Sequence, residues 1–487
     1  MADDVERFDL VVIGSGPAGE KGAVQAAYFG KKVALVEKAR EVGGACVHTG
    51  TLPSKTLREA ALYVTGFKRR NLYGMTLDID RDASLRQLMG RLHAVTGQQV
   101  AQIARNLDRH GVAGVSGAAE FVGPQEIVVR AASSERAPGS PAVRRLTADA
   151  FLIATGSSPL RPPGVPFDDS DVEDSDTILD LDRIPLSLAV VGGGVIGCEY
   201  ACLFAALGTK ITIIEGRDAL MGFLDGEMSR GLQSALEREG HQVLLGDAVL
   251  GIERVPGGPL HVALKSGKRL EVDKVLYSAG RAGNTAGLGL ERAGVKLDAK
   301  GRILVNEHFQ TSAPRIYAAG DVVGNPALAS VSMEQGRVAM CHAFGFPYKT
   351  KVSPLLPFGV YTIPEISMVG ATEDDLRARG ADYEVGRAAY HDNARGQIIG
   401  EPDGAMKLLF TPDTRQLLGV HIIGDRATEL VHIGQMVMEH NGTIDVFIDG
   451  VFNFPTLSEI YKYAAYDGLG RLARRGGHSR TVGAPPA

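Results

Sequence analysis

The sequence contains the same glycine pattern twice, and the two copies have identical internal spacing. In each copy, an apolar run of strand length leads directly into G-x-G-x-x-G, followed by a helical pattern and a second apolar strand that ends in glutamate. Glycines at these places allow a tight turn and a close approach to a pyrophosphate, and the acid suits a ribose hydroxyl. The residues are Gly14, Gly16, Gly19 and Glu37 in the first copy, and Gly192, Gly194, Gly197 and Glu215 in the second.

Two such units predict an α/β protein with two Rossmann-like dinucleotide-binding domains that hold two different dinucleotides. At 487 residues, the chain is too long for a single core. From residue 354 onward, alternating and apolar strands and one helix follow without a third phosphate loop. This last part is predicted to be an α+β domain that serves subunit contact.

Composition excludes several classes of protein. A formal charge of −5 and a pI near 6.2 give no basic surface for a nucleic-acid partner. The sequence contains no uninterrupted run of about 18 apolar residues, so no membrane span is predicted. The acidic N-terminal sequence lacks the features of a secretory signal, so we expect a cytoplasmic protein. The four cysteines form neither a disulfide framework nor a zinc-binding pattern, and no metal site is predicted. Cys198 and Cys202 lie one helical turn apart, which indicates that they pack in the core.

The stretch 43–55 carries the most informative single cysteine. It is predicted to be a glycine-loosened loop, with Gly43, Gly44 and Cys46, that runs into a helix beginning near Pro53. Thr51 is expected at the mouth of that helix. Two thiols so placed could close a disulfide beside a cofactor, whereas a threonine hydroxyl cannot carry electron pairs. The sequence therefore argues against thiol-disulfide chemistry.

Three further strand patterns end in glycine and lie at intervals along the chain. An aspartate that follows a strand and a glycine is well placed to bond cofactor hydroxyls, the alternative being a helix or turn cap. The segments are Ala154-Thr155-Gly156, Gly280-Arg281 and Gly320-Asp321.

Together these motifs resemble the pyridine nucleotide-disulfide oxidoreductases, a flavin-dependent family that includes lipoamide dehydrogenase, glutathione reductase and mercuric reductase. The resemblance rests on both fingerprints, on Gly43-Gly44-x-Cys46, on Pro53-Ser54-Lys55, and on the three segments above. It implies an FAD-binding domain (1–160), an NAD(P)-binding domain (161–285), a central domain completing the FAD site (286–352) and an interface domain (353–475). A homodimer or larger homo-oligomer and a disordered tail (476–487) are also expected.

Two departures from that family pattern concern the same chemistry. Disulfide reductases have a second cysteine where this chain has Thr51, and a histidine, supplied by the other subunit, where this chain has Phe454 before Pro455. This combination resembles the branch of soluble, Si-specific pyridine nucleotide transhydrogenases. Stretches 49–55, 196–201, 361–366, 394–398 and 432–435 also look like that branch.

The resemblance implies hydride transfer between NADPH and NAD⁺, or the reverse, through bound FAD. Lys55 is expected near flavin N5 and paired with Glu199, the alternative being two unrelated surface charges. Cys46 is either catalytic or packs on the flavin. Arg217 would bind the 2′-phosphate of NADP(H), unless it is a solvated loop arginine and the enzyme favours NAD(H). Further cofactor contacts are expected from Lys38, Ala118 and Ala329.

Two other functions remain open at this point. One is an NADH-dependent diaphorase of the same fold that reduces quinones, metal ions or oxygen. The other is a non-enzymatic flavoprotein dimer that acts as a redox-sensing binding partner. His48, beside the redox loop, either touches the cofactor or satisfies backbone groups.

Overall fold

The computed structural model describes residues 5–65, 74, 81–131, 143–180 and 182–475, and the predicted tail 476–487 lies outside them. The strands are β1 (Val5–Ile13), β2 (Val33–Glu37), β3 (Ala113–Ser116), β4 (Ala118–Gly123), β5 (Glu126–Arg130), β6 (Val143–Ile153), β7 (Ser157–Pro159), β8 (Val172–Glu173), β9 (Ser187–Val191), β10 (Lys210–Glu215), β11 (Gln242–Leu245), β12 (Val249–Arg254), β13 (Leu260–Leu264), β14 (Arg269–Val272), β15 (Lys274–Tyr277), β16 (Arg281–Gly283), β17 (Ile316–Ala318), β18 (Phe358–Val360), β19 (Ile366–Gly370), β20 (Glu384–Ala389), β21 (Ala405–Phe410) and β22 (Leu417–Ile423). The helices are α1 (Pro17–Tyr28), α2 (Gly44–His48), α3 (Thr51–Thr65), α4 (Arg81–Arg109), α5 (Val195–Ala206), α6 (Gly226–Arg238), α7 (Ala329–Phe344), α8 (Glu373–Ala378), α9 (Ala394–Ile399), α10 (Ala427–Glu439), α11 (Asp445–Asp449) and α12 (Ile460–Arg475).

The first sheet has the order β3-β2-β1-β6-β5-β4, and β17 joins it beside β6. Its central strands are parallel and apolar because both faces are covered. Helices α1 and α7 lie so close together that a side chain on Gly336 would come within 2.3 Å of the Ala18 carbonyl oxygen. This contact lets a helix from late in the chain pack against the helix of the first fingerprint.

The second sheet is parallel in the order β11-β10-β9-β15-β8, with an antiparallel β12-β13-β14 sheet between β11 and β15 in the chain. Strands β7 and β16 pair where the chain enters and leaves this unit. The C-terminal unit, which we define as β18–β22 with α8–α12, is built on an antiparallel sheet in the order β18-β19-β22-β21-β20. The predicted α/β fold class is confirmed.

The cysteine stretch differs from its predicted conformation. Residues 44–48 form the short helix α2, and α3 begins at Thr51, two residues before Pro53. Proline is compatible with any position in the first helical turn, where the N–H groups have no partner within the helix, so it marks the turn rather than the first residue. Gly43, directly before α2, has φ of 119°, a left-handed conformation that favours glycine.

A buried ion cluster joins the second nucleotide unit to the C-terminal unit. The Lys407 ammonium, with only 1% of its side chain exposed, donates to both oxygens of Asp225 at 2.9 Å, to Glu227 at 2.9 Å and to Glu373. Arg387 also donates to Glu227, at 2.9 Å from Nε. The lysine is therefore the shared cation of three carboxylates, one directly before α6, one on α6 and one at the start of α8.

Within the described part of the chain, no helix combines the length and the apolar character needed to cross a membrane.

Candidate functional site

A cavity of about 860 Å³ opens at the carboxyl end of β1. Its volume lies in the range typical of small-molecule and cofactor sites. The cavity brings together the first glycine loop, the cysteine stretch, the C-terminal half of α4 and the start of α7. Its lining consists of Ser15, Gly16, Pro17, Glu20, Lys21, Gly43, Cys46, Val47, Thr51, Leu52, Gln99, Gln102, Ile103, Arg105, Asn106, Arg109, Ala329 and Met333.

The first glycine loop has the geometry of a phosphate cradle. Gly14 has φ of 102°, and a side chain there would lie 2.4 Å from the Ala154 carbonyl oxygen. A side chain on Gly19 would lie 1.9 Å from the Gly14 carbonyl oxygen. Gly16 precedes α1 and supplies no side-chain cap, so the N–H groups of the first turn remain available to an anion. These glycines fit the pyrophosphate of a dinucleotide.

The second glycine loop repeats that geometry. Gly192 has φ of 108°, and a side chain there would lie 2.9 Å from the Ser278 carbonyl oxygen. A side chain on Gly197 would lie 2.0 Å from the Gly192 carbonyl oxygen, and Gly194, directly before α5, supplies no side-chain cap. The two loops are therefore equivalent cradles at the ends of two separate parallel sheets.

The two glutamates hold equivalent positions beside the loops. Glu37 Oε2 accepts hydrogen bonds from the backbone N–H of Ser15 at 2.9 Å and from its hydroxyl at 2.6 Å. Glu215 Oε2 accepts from the Gly193 N–H at 2.6 Å, and its other oxygen accepts from the Arg217 N–H at 3.0 Å. A carboxylate has about four acceptor positions, so each glutamate fixes its loop and can still accept from a ribose.

The side chains predicted beyond these glutamates are exposed. Arg217 lies in the turn after β10, and its guanidinium has no ion-pair partner among the described residues. Lys38 directly follows Glu37 and is exposed as well. Ala118 begins β4 after Gly117, whose N–H donates to the Glu37 carbonyl oxygen at 2.8 Å. Lys38 and Ala118 therefore lie near Glu37 of the first glycine loop, and Arg217 lies near Glu215 of the second.

Cys46 lies on α2 and faces the cavity without a second thiol. All four cysteines are free, and Cys198 and Cys202 are fully buried. Burial raises the pKa of the Cys46 thiol, and this outweighs a hydrogen bond with the Thr51 hydroxyl and the charge of Lys55, which both lower it. Because the thiolate is the nucleophilic form, Cys46 lacks the environment of an activated cysteine.

Lys55, on α3, and Glu199, on α5, are in direct contact. Lys55 Nζ lies 2.5 Å from Glu199 Oε2 and also donates to the Ser54 hydroxyl at 3.3 Å. Only 7% of the Glu199 side chain is exposed, and 23% of the Lys55 side chain. Tyr361, which sequence reasoning did not assign, completes the group, because its N–H donates to Glu199 Oε1 at 2.9 Å. The pair is thus a fixed, partly buried contact between the two nucleotide units.

The segment 154–157 is tied to the chain that returns from the second unit. The Thr155 hydroxyl donates to the Asn284 carbonyl oxygen at 2.8 Å, and the Asn284 N–H donates to the Gly156 carbonyl oxygen at 3.0 Å. The Ser157 hydroxyl donates to Asp321 Oδ2 at 2.7 Å. These bonds hold Ala154 against the first glycine loop.

The other two strand-to-glycine segments meet nearby. Arg281, after Gly280, donates from Nε to the Ser157 hydroxyl at 2.9 Å, so this predicted contact residue is bound to protein groups. Gly320 has φ of 83°, and its N–H donates to Gln335 on α7 at 2.8 Å. Helix α7 begins at Ala329, which lines the cavity. No side chain caps the start of this helix.

One wall of the cavity was missed by sequence reasoning. On α4, four polar residues follow helical spacing along one side, and Asn106 donates to Glu20 at 2.7 Å. A polar stripe on a long amphipathic helix is the signal that would have indicated this wall. The stripe consists of Gln99, Gln102, Asn106 and Arg109.

Two remaining residues were singled out by the sequence. The His48 ring contacts the Val42 carbonyl oxygen at 2.9 Å, which favours its backbone role. Phe454 has 71% of its surface exposed, close in sequence to Val451 at 97%. Both exposed apolar residues lie in the C-terminal unit.

Comparison with known proteins agrees with this geometry. Residues 8–336 match the pyridine nucleotide-disulphide oxidoreductase family, and residues 356–465 match its dimerisation domain. A protein from Mycobacterium bovis (strain BCG / Pasteur) named soluble pyridine nucleotide transhydrogenase is 46% identical over 96% of this chain and 98% of its own length. A Yersinia enterocolitica protein of the same name is 42% identical over 96% and 98%.

Solved structures give the same result. LpdA from Mycobacterium tuberculosis has a TM-score of 0.85 at 28% identity, covering 95% of this chain and 99% of its own. The HOCl-induced flavoprotein disulfide reductase RclA from Escherichia coli has a TM-score of 0.84 at 26% identity, covering 94% and 99%. The chain belongs to the pyridine nucleotide-disulphide oxidoreductase family, and within it to the group of the soluble pyridine nucleotide transhydrogenases.

Proposed function

We propose that the protein is an FAD-dependent transhydrogenase that transfers a hydride between NADPH and NAD⁺, in either direction. The observation that carries this proposal is the pairing of two dinucleotide cradles with a lone cysteine, Cys46, whose neighbour in space is the hydroxyl of Thr51. The names of relatives at 42–46% identity support it. A disulfide substrate would need a second thiol to relay its electrons.

The first cavity suits FAD. The glycine loop and the open start of α1 offer N–H groups to a diphosphate, and Glu37 offers acceptor positions to a ribose. Asp321 and Ala329, which follow β17 of the first sheet, are proposed to contact the rest of the cofactor. A bound flavin supplies the chemistry, since it accepts a hydride from one nicotinamide and returns it to another.

Lys55 is the proposed electrostatic residue of the reaction. Its ammonium, fixed by Glu199, would provide a positive charge to a bound flavin, whose ring becomes more negative on reduction. A preorganised charge of this kind stabilises the reduced state without rearrangement of solvent. Cys46 is proposed to pack against the ring, because its raised thiol pKa leaves it neutral.

The second cradle is proposed to take both nicotinamide nucleotides in turn. Glu215 is the acceptor for the adenosine ribose of NAD(H). Arg217, exposed and two residues further on, is the proposed partner of the NADP(H) 2′-phosphate, for which a planar guanidinium is well suited. One site with both groups can exchange one nucleotide for the other.

The proposed division of the chain has an FAD-binding domain at 1–160, an NAD(P)-binding domain at 161–285, a central domain at 286–352 and an interface domain at 353–475. The match of residues 356–465 to a dimerisation domain supports a homodimer. The pairing of β7 with β16, where the second unit joins the first, supports the first two boundaries.

Anaerobic mixing of the flavin-loaded protein with NADPH and thio-NAD tests the function. The absorbance of reduced thionicotinamide is expected to appear without any other acceptor. A protein that oxidises NADH only after a quinone or dye is added would instead be a diaphorase. A protein that gives neither signal would be a binding protein. Either of these two results contradicts the proposed function.

A further inference from the structure

Tyr361 connects the C-terminal unit to both members of the Lys55–Glu199 pair. Its backbone N–H donates to Glu199 Oε1 at 2.9 Å, which leaves Glu199 Oε2 for the lysine. The Lys55 ammonium lies over the Tyr361 ring, 5.0 Å from the ring centroid. The face of an aromatic ring attracts a cation, so the ring and the carboxylate hold the ammonium together.

Tyr361 is itself fixed from a second direction. Burial raises the pKa of the Tyr361 hydroxyl, its neighbour Thr428 lowers that pKa, and the Thr428 hydroxyl donates to Glu365 at 3.1 Å. Glu365 pairs at 3.1 Å with Arg58, which lies on α3 about one turn from Lys55. The contacts thus form a closed loop that begins on α3 at Lys55, passes through the C-terminal unit, and ends on α3 at Arg58.

This closed loop restricts a side chain that would otherwise move. A lysine has a long, flexible stem, and 23% of the Lys55 side chain is exposed. A carboxylate alone allows the ammonium several positions around one oxygen, whereas a ring beneath it limits those positions. The C-terminal unit therefore contributes to the geometry of a contact made between the two nucleotide units.

We propose that Tyr361 is a positioning residue that fixes the Lys55 ammonium relative to Glu199 at the hydride-transfer site. The inference rests on the proposed function, because it assigns a purpose to the charge of Lys55. It adds that the site depends on a residue of the C-terminal unit of the same chain.

The test uses the flavin-loaded protein and the variants Tyr361→Leu and Tyr361→Phe. Tyr361→Leu removes the ring and keeps the backbone N–H, whereas Tyr361→Phe keeps both and loses only the hydroxyl contact to Thr428. We expect Tyr361→Leu to slow flavin reduction by NADH about tenfold, and Tyr361→Phe to retain most of the rate. The midpoint potential of the flavin is expected to become more negative in Tyr361→Leu. Tyr63→Leu, on the same helix as Lys55 and 89% exposed, is the control that should resemble the wild type.

A double-variant comparison separates positioning from a structural effect. If Tyr361 acts through Lys55, then Tyr361→Leu should change the rate and the potential little once Lys55→Met is present. An equal drop in both backgrounds would overturn the inference, as would a wild-type rate and potential in Tyr361→Leu. Absence of NADPH-to-thio-NAD transfer in the wild type would contradict the proposed function alone, because the potentials still decide the role of Tyr361.

Discussion

The Thr51 hydroxyl lies beside the Cys46 thiol at the junction of α2 and α3, where burial raises the pKa of that thiol more strongly than the hydroxyl lowers it. The two side chains meet where a redox disulfide would lie beside the cavity. Thr51 therefore occupies a place from which a thiol could reach Cys46, although its own hydroxyl cannot carry electron pairs. A single substitution should therefore restore a second thiol within reach of the first.

Thr51→Cys is expected to form an internal disulfide with Cys46 under mild oxidation. The reason is that the replaced hydroxyl is an immediate neighbour of the Cys46 thiol, and both residues line the cavity. Thiol titration of the denatured protein should show two fewer free thiols than after reduction. Thr56→Cys, on the same helix but one turn further along, should keep all its thiols. Equal thiol counts before and after reduction of Thr51→Cys would contradict the arrangement.

Lys55→Met is expected to slow anaerobic reduction of the flavin by NADH by a factor on the order of 10², because it removes the fixed positive charge that we propose stabilises the reduced ring. Stopped-flow absorbance measures this rate. Lys210→Met, which removes an exposed lysine at the start of β10, should leave the rate unchanged. A wild-type rate in Lys55→Met would show that the Lys55–Glu199 contact is only structural.

Arg217→Ala is expected to weaken binding of NADPH by about 10- to 100-fold and to affect NADH much less. A charge-assisted hydrogen bond to a phosphate is worth about 1.5–3 kcal/mol, and NADH lacks the 2′-phosphate. Equilibrium titration with each nucleotide gives the two dissociation constants. Arg230→Ala, an exposed arginine on α6, is the matched control. An equal effect on both nucleotides would mean that Arg217 is an ordinary loop residue.

Lys407→Met is expected to lower the free energy of unfolding at neutral pH by about 3–5 kcal/mol, because three carboxylates lose their shared cation. The loss should shrink in acid, where protonated carboxyls no longer repel one another. Urea unfolding at pH 7 and at pH 5 measures both effects. Lys351→Met, an exposed lysine, is the control. A loss of stability that is the same at both pH values would contradict the electrostatic explanation.

The same cluster gives the wild type a defined acid sensitivity. Hydrogen bonding by Arg387, followed by Lys407, lowers the pKa of the Glu227 carboxyl from 4.5 to about 2, against burial, which raises it. A group with a depressed pKa in the folded protein stabilises the fold above its unfolded value, and this contribution disappears as pH falls. The contribution of Glu227 should therefore be complete above about pH 4.5 and decline toward pH 2.

The fold class was predictable because its signals are local. The first and last glycines of each loop, Gly14 and Gly19, then Gly192 and Gly197, are required by positive φ or by backbone atoms that a side chain would strike, and such glycines form a pattern within a short stretch. The repetition of that stretch with its terminal glutamate gave two sheets and two cradles. The start of α3 at Thr51 was less predictable, because Pro53 restricts the first turn and does not define its first residue.

The missed parts of the site depend on contacts between distant segments. Tyr361 reaches Glu199 from another unit, and Asn106 reaches Glu20 from the far end of α4. Tyr361 begins a stretch that resembles the transhydrogenase branch, and Asn106 lies in no motif, but in neither case does one sequence indicate which distant residue the side chain or backbone contacts. Lys407 was missed for the same cause, since its three acidic partners come from two separate segments of the chain.

The carboxylate of Glu199 receives one hydrogen bond from α3 and another from the segment after β18, while the residue itself belongs to α5. If a nucleotide unit of different specificity replaces the native one, it must therefore preserve a contact shared by α3, α5 and the segment after β18. A donor unit without an acid at this place would leave an unneutralised ammonium on one side and an unpaired amide on the other. Chimaeras that transplant the acid together with its helix are the ones expected to remain active.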